Sequence, residues 1–361
     1  MRLDRDLVSI VCGALGVTIA ILVAAWMVGR TPDGATGDLA VSGAPTVALG
    51  DSLIYEIPAG HSASEIGDEL QELGIVQSAR QFRLLVSLMG LEDRLSAGDY
   101  QLPTGASVVT VINLLTSNRT VPTIRVTFPE GLRIEEMAEL AEEAGFGPSE
   151  DFIAAAHVAV LPAEFAADAP EGHDRQGYLF PDTYIMPQGV TAADLVEFMI
   201  ETLDRRFSPE LRDAVRAQGL TLHEALTIAS IIEREAVLED ERPLIAGVFF
   251  NRIAAGDRLG ADPTVQFAVA IDPFSVAEHG WWKAELTVED LEIDSEYNTR
   301  KYSGIPPGPI TNPGLAAIEA VANPSATTMY YFVADSVEGD GSHLFAETWE
   351  QHLANIASVG Q

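Results

Sequence analysis

The sequence has one cysteine, Cys12, and two lysines, Lys283 and Lys301. A lone cysteine excludes a disulfide within the chain and any zinc site built on several thiolates. With so few cations, the 361 residues carry a formal charge of −33. A surface of that sign repels phosphate backbones, so nucleic acid is not an expected partner. The seven histidines are scattered, with no pair at i and i+4. H-E-x-x-H, G-x-S-x-G, Walker and G-x-G-x-x-G patterns are all missing. The usual signatures of zinc hydrolysis, nucleophile-elbow hydrolysis and nucleotide binding are therefore absent. No metal and no cofactor is expected.

Apolar residues are plentiful, at 47 %. One run, "LVSIVCGALGVTIAILVAAWMVG" at 7–29, has 23 residues without a charge. That is long enough to cross a bilayer and longer than the apolar core of a cleaved leader. Arg2 and Arg5 precede it, and acidic residues follow Arg30. The positive-inside tendency then leaves a short cytoplasmic tail and puts the bulk of the chain outside the cytoplasmic membrane. The Gly-, Pro- and Asp-rich stretch after the run reads as a flexible spacer.

An internal repeat follows. "IPAGHSASEIGDELQELGI" begins at Ile57 and "FPEGLRIEEMAELAEEAGF" at Phe128, 71 residues later. Both read as strand, Pro-x-Gly turn, helix and glycine stop. Ser62 and Glu65 have capping-box spacing, and Gly74 suits the residue after a helix. The pattern fits two ordinary strand–turn–helix units and a small carbohydrate-binding module equally well.

Further on, Thr221 and Glu224 form a second capping box ahead of "ALTIASIIEREA". The helix they start is apolar on most sides, which marks it as buried. It ends in Glu233, Arg234 and Glu235. Glu235 continues the stripe of Ile228, Ile231 and Ile232, where burial and the helix C-terminus both disfavour a carboxylate anion. Pro243 and Gly256 bracket the next helix. The loop "GIPPGPITNPG" at 304–314 cannot be regular, and Asn312 with Pro313 reads as the start of the helix after it. "MYYFVAD" at 329–335 reads as a buried strand. "HLFAETWEQHLANI" at 343–356 reads as a loop turning into an amphipathic helix.

Eight ordered segments carry a family resemblance: "AGDYQLPTGASVVTVINLL", "GYLFPDTY", "LTIASIIEREA", "VFFNRI", "RLGADPTV", "YNTRKYSGIPPGPITNPG", "YYFVAD" and "HLFAETWEQHL". In that order they resemble the YceG-like endolytic murein transglycosylases. The resemblance implies an α+β fold: an N-terminal transmembrane helix, a small LysM-like α/β module, then a mixed α+β catalytic domain whose buried helix carries the acid. The expected limits are 1–30 for tail and span, 31–50 for the linker, 51–122 for the module and 123–361 for the catalytic domain. In the family pattern the later glutamate is catalytic, which maps to Glu235. Glu233, Asn251, Arg252, Asp262, Thr264, Tyr297, Asn298, Thr299, Tyr302, His343 and Thr348 are the expected cleft or substrate positions. Three positions depart from the family: Gln176 replaces a Glu, and Gly260 and Ala261 replace Gln-Thr. The implied reaction cuts nascent peptidoglycan strands internally, leaves 1,6-anhydro ends and ends glycan elongation. The expected setting is the inner membrane, with wall synthases as partners. A lysozyme-type hydrolase and a non-catalytic glycan-binding scaffold are the alternatives.

Overall fold

Two buried apolar clusters organise the chain, and each is built from residues that the local sequence forces to one side. The computed structural model describes residues 48–49, 52–117 and 120–360. The apolar run at 7–29 lies outside them. Among the described residues, no helix is long and apolar enough to cross a membrane.

The smaller cluster forms first along the chain. Strands β1 (Ala48–Leu49), β2 (Ser52–Ile57) and β3 (Gly98–Pro103) make an antiparallel sheet in the order β1-β2-β3. Helices α1 (Ala63–Glu72), α2 (Ala79–Met89) and α3 (Val108–Leu115) cover it. Strand alternation puts Tyr55 and Ile57 into this cluster, with Ile66, Phe82, Tyr100 and Val111. Ile54, on the opposite face of β2, belongs to the larger cluster. The Ser62–Glu65 capping box is formed.

The larger cluster begins at the second copy of the repeat. Strand β4 (Thr123–Thr127) leads through the Pro-x-Gly turn into α4 (Ile134–Ala144), which Gly145 closes in the left-handed conformation. Helices α5 (Ser149–Val158) and α6 (Ala163–Asp168) follow. Strand β5 (Thr183–Pro187) then pairs antiparallel with β4. Helices α7 (Ala192–Arg206), α8 (Pro209–Ala217), α9 (Leu222–Glu235), α10 (Arg242–Ala255), α11 (Asp262–Val269), α12 (Pro273–His279), α13 (Val288–Leu291) and α14 (Leu315–Ala322) come next. A hairpin of β6 (Tyr331–Ala334) and β7 (His343–Ala346) and a last helix, α15 (Trp349–Val359), complete a mixed α+β fold.

Helix α9 is central, packing against α6, α8, α10, α11 and α14. Every residue from Leu222 to Ile232 except Glu224 is buried, which explains its apolar circumference. The Thr221–Glu224 capping box forms as its spacing requires.

The Pro-rich loop at 304–314 runs along one face of α9. His223 Nε2 meets the Pro307 carbonyl (2.8 Å), Ser230 Oγ accepts the Ile310 N–H (3.0 Å), and Thr311 Oγ1 donates to the Ser230 carbonyl (3.2 Å). At the end of α9, Glu233 accepts the Gly314 N–H (2.9 Å). An irregular buried backbone needs such partners, and proline reduces the number of N–H groups to be satisfied.

Three details differ from the sequence reading. The residue capping α14 is Gly314, not Asn312. Asn312 is fully buried instead. Its Oδ1 accepts the N–H groups of Gly177 (2.9 Å) and Leu179 (3.0 Å), and its Nδ2 donates to the Leu132 carbonyl (3.1 Å). It ties "GYLF" and the second Pro-x-Gly turn to the loop. Gly177 sits at φ +89° with Pro309 so close that a Cβ would meet it at 2.3 Å, so a side chain there is excluded twice over. Strand β6 is only half-buried, because its sheet has two strands. "HLFA" is a strand rather than a loop, since β6 supplies it with a pairing edge.

Replacing Asn312 with Ala orphans two buried N–H donors. We expect urea unfolding to show a loss of about 2–4 kcal/mol.

Candidate active site

The last turn of α9 presents its two glutamates to different surroundings, because successive helical residues point about 100° apart. Glu233 is turned inward, with 5 % of its side chain exposed. Its Oε1 accepts from Arg242 Nη2 (3.0 Å) and its Oε2 holds Gly314. Both oxygens are engaged by the protein, so Glu233 fastens α9 to α10 and to the Pro-rich loop.

Glu235 is half-buried, and no described residue hydrogen-bonds its carboxyl. Its pKa is pushed from 4.5 up to about 8. Burial is the largest cause, followed by the negative charge of Asp262; Arg300 and Arg252 pull the other way. The like charge comes from Asp262, on the first turn of α11, and not from the neighbouring Glu233. A carboxyl in this state carries a proton at neutral pH. The two guanidiniums stabilise the anion once the proton has left.

Those neighbours are themselves fixed. Arg252 donates from Nε to the Tyr330 carbonyl (2.6 Å) and from Nη1 to the Leu259 carbonyl. Arg300 pairs with Asp262. Behind this pair lies a buried network. Thr264 Oγ1 and Thr299 Oγ1 are 2.8 Å apart, Thr299 Oγ1 accepts the Ala261 N–H (3.0 Å), and Asn298 Oδ1 accepts the Arg300 N–H (3.0 Å). Asn298 Nδ2 is committed to the carbonyls of Leu291 and Ile293. Thr264, Asn298 and Thr299 therefore set where Asp262 and Arg300 stand, and their own polar groups face inward. Gly260 has φ +65°, and a Cβ there would press on Arg252 Nη1 at 3.3 Å. The Gly-Ala departure thus leaves room for that guanidinium.

The remaining sequence candidates are more dispersed. Asn251 bridges to the carbonyls of Thr327 and Met329 (both 2.9 Å) and braces α10 against the lead into β6. Tyr297 packs on Phe267, and Tyr302 is exposed with its hydroxyl on Asp294. His343 binds Glu241 Oε2 through Nδ1 (2.7 Å). Thr348 is the N-cap of α15. Gln176 is buried and accepts the Ile134 N–H (3.0 Å) at the start of α4. The structure thus gathers Glu235, Arg252 and Asp262 at one place, with Arg300, which sequence reasoning passed over inside "YNTRKY". It also missed Trp281 and Trp282, although adjacent tryptophans in a chain with only four are a visible signal. A shallow depression lined by Phe146, Asp151 and Thr191 lies on other helices and brings no such group of charges together.

Residues 55–358 match the YceG-like family. The chain belongs to that family. It is 31 % identical over 309 residues to an endolytic murein transglycosylase of Bacillus subtilis, covering 82 % of this chain and 81 % of the relative. A protein of the same name from Streptococcus pneumoniae is 31 % identical over 323 residues, or 83 % of this chain; the match spans 57 % of that longer protein. Among solved structures, a YceG-like protein from Listeria monocytogenes superposes with a TM-score of 0.54 at 30 % identity, over 84 % of this chain and 98 % of its own. The family thus spans both apolar clusters and the α9 acid.

Two measurements separate the two glutamates. Glu233→Ala strands a buried guanidinium at Arg242, and we expect a loss of about 3–5 kcal/mol in urea unfolding. Glu235 behaves oppositely. Between pH 4.5 and about 8 the folded carboxyl keeps a proton that an unfolded one has released, so stability falls as pH rises through that window. Thermal melts of Glu235→Gln should match wild type near pH 5 and exceed it near pH 9.

Proposed function

We propose that this chain is a lytic transglycosylase that cuts the MurNAc–GlcNAc β-1,4 bond within nascent peptidoglycan strands. The observation carrying this reading is Glu235, a carboxyl with a pKa of about 8 and no partner among the described residues. Relatives named endolytic murein transglycosylase, similar over most of the chain, support the substrate class.

Cleavage of a glycosidic bond needs a proton delivered to the leaving oxygen as the C1–O bond breaks. Glu235 holds that proton at neutral pH. Once it is donated, the carboxylate is stabilised by the charges of Arg252 and Arg300 and acts as a base. It takes the proton from the muramic acid C6 hydroxyl, whose oxygen bonds to C1 of the same sugar. A 1,6-anhydro end forms, Glu235 is protonated again and no water is consumed. One group serves both steps, by the acid-then-base logic of glycosidases. Asp262 raises the proton affinity of Glu235 and, as a nearby negative charge, suits the positive charge that develops at C1.

The run at 7–29 anchors the chain in the inner membrane with its N-terminus in the cytoplasm, and the stretch from 31 to the start of β1 is a spacer, shorter than the expected 31–50 because Ala48 and Leu49 pair with β2. Residues 51–122 form a LysM-like module that holds glycan, and 123–361 form the catalytic domain outside the cytoplasm. A tether of about twenty residues has an r.m.s. reach of ~25 Å, which favours newly made strands near the membrane. Cutting there ends glycan elongation and brings the enzyme close to wall synthases.

Product analysis tests the chemistry. Wild type should release fragments with 1,6-anhydro ends by mass spectrometry; reducing ends would assign a hydrolase instead. Glu235→Gln should lower the cleavage rate by about 10²–10⁴-fold. Undiminished cleavage by this variant would remove Glu235 from the reaction, and binding without cleavage by wild type would favour a scaffold. The rate should fall as pH rises through about 8, because the acid then loses its proton.

A further inference from the structure

Trp281 and Trp282 each carry a guanidinium. Arg133 Cζ lies 4.8 Å from the Trp281 ring centroid, and Arg234 Cζ lies 4.0 Å from that of Trp282. Three segments far apart in sequence meet here: the start of α4, the end of α9 and the loop after α12. The cluster is fixed in place. Trp282 donates its indole N–H to Glu136 Oε2 (3.1 Å), and the same oxygen accepts the Arg133 backbone N–H (2.9 Å).

Arg234 adjoins the candidate acid in sequence, and its guanidinium makes no hydrogen bond or ion pair with the described residues. Other arginines near the site are committed: Arg242 to Glu233, Arg252 to carbonyls and Arg300 to Asp262. Arg234 is exposed, with its Cζ 4.0 Å from the Trp282 ring centroid and its donors unengaged by the described residues. Arg133 is buried and pairs with Glu135 through Nε (3.3 Å) and Nη2 (3.4 Å), while its Nη1 has no hydrogen-bond partner. A planar guanidinium receives a carboxylate through two parallel hydrogen bonds. Stacking fixes its orientation in advance and lowers the entropy cost of binding. A chain with a charge of −33 repels an anionic polymer at long range, so docking needs a fixed local cation.

We propose that the Arg234–Trp282 stack, backed by Arg133 on Trp281, is a subsite that receives a carboxylate on the muramyl arm of the glycan. This rests on the substrate class proposed above. The carboxylate belongs either to the lactyl group of the sugar or to the peptide attached to it.

Binding is measured with the full chain in a Glu235→Gln background, so that strands stay whole. Three probes are compared: a neutral chitooligosaccharide, strands stripped of peptide that expose the lactyl carboxylate, and intact peptide-bearing strands. The expected result is about tenfold tighter binding of at least one anionic strand over the neutral one. The strand showing the preference identifies the arm. Adding Arg234→Gln should bring the ratio near one, and Arg234→Lys should restore part of it. Raising salt from about 0.05 M to 0.5 M should shrink the ratio without any substitution at Arg234. A ratio near one at low salt, one that survives high salt, or one indifferent to Arg234→Gln overturns the subsite. If the protein binds none of the three probes, the glycan reading falls with it.

Discussion

The buried ion pair between Glu233 and Arg242 decides where the last turn of α9 points its side chains. It joins the last turn of α9 to the first turn of α10, and the second oxygen of Glu233 holds the loop that enters α14. Two buried charges are tolerated because they face each other at 3.0 Å and Glu233 also accepts the Gly314 N–H. With the helix end pinned this way, the next two side chains have no choice of direction. Arg234 is delivered to the tryptophan pair and Glu235 to the side of Asp262. Neighbouring acids on one turn thus take opposite parts: one is a charged fastener, the other a proton store.

Much of this was legible in the sequence where a rule is local. The capping boxes at Ser62 and Thr221, the glycine stops after α1 and α4, and the apolar circumference of α9 all follow from spacing within a few residues. Non-local features were not. Nothing around "HLFA" announces a strand, since its partner β6 lies nine residues or more away and supplies the pairing. Asn312 resembles a helix cap, because the sequence cannot show that its amide is claimed by Gly177 and Leu179 from more than 130 positions upstream.

The candidate site divides along the same line. Glu235 was readable from its helical stripe, and burial of that stripe is a local consequence of composition. The neighbours that tune it come from α10, α11 and the loop at 300, and only the fold brings them together. Several motif residues with hydrogen-bonding side chains, among them Asn298, Thr299 and Thr264, face inward. Their chemistry suits sugar contact on paper, but their donors and acceptors are satisfied by the protein itself. A polar residue inside a motif is therefore as apt to be scaffolding as surface, and only its partners tell which.

Strand β2 commits its two faces to two different cores, Ile54 to one and Tyr55 with Ile57 to the other. A slip of one residue would exchange the faces, turning Tyr55 toward the larger core and Ile54 or Glu56 toward the smaller one. The strand thus works as a keyed joint. Fraying of the smaller body withdraws a side chain from the larger one, so the two share part of their cooperativity in unfolding. A pull on either body is therefore felt at the other.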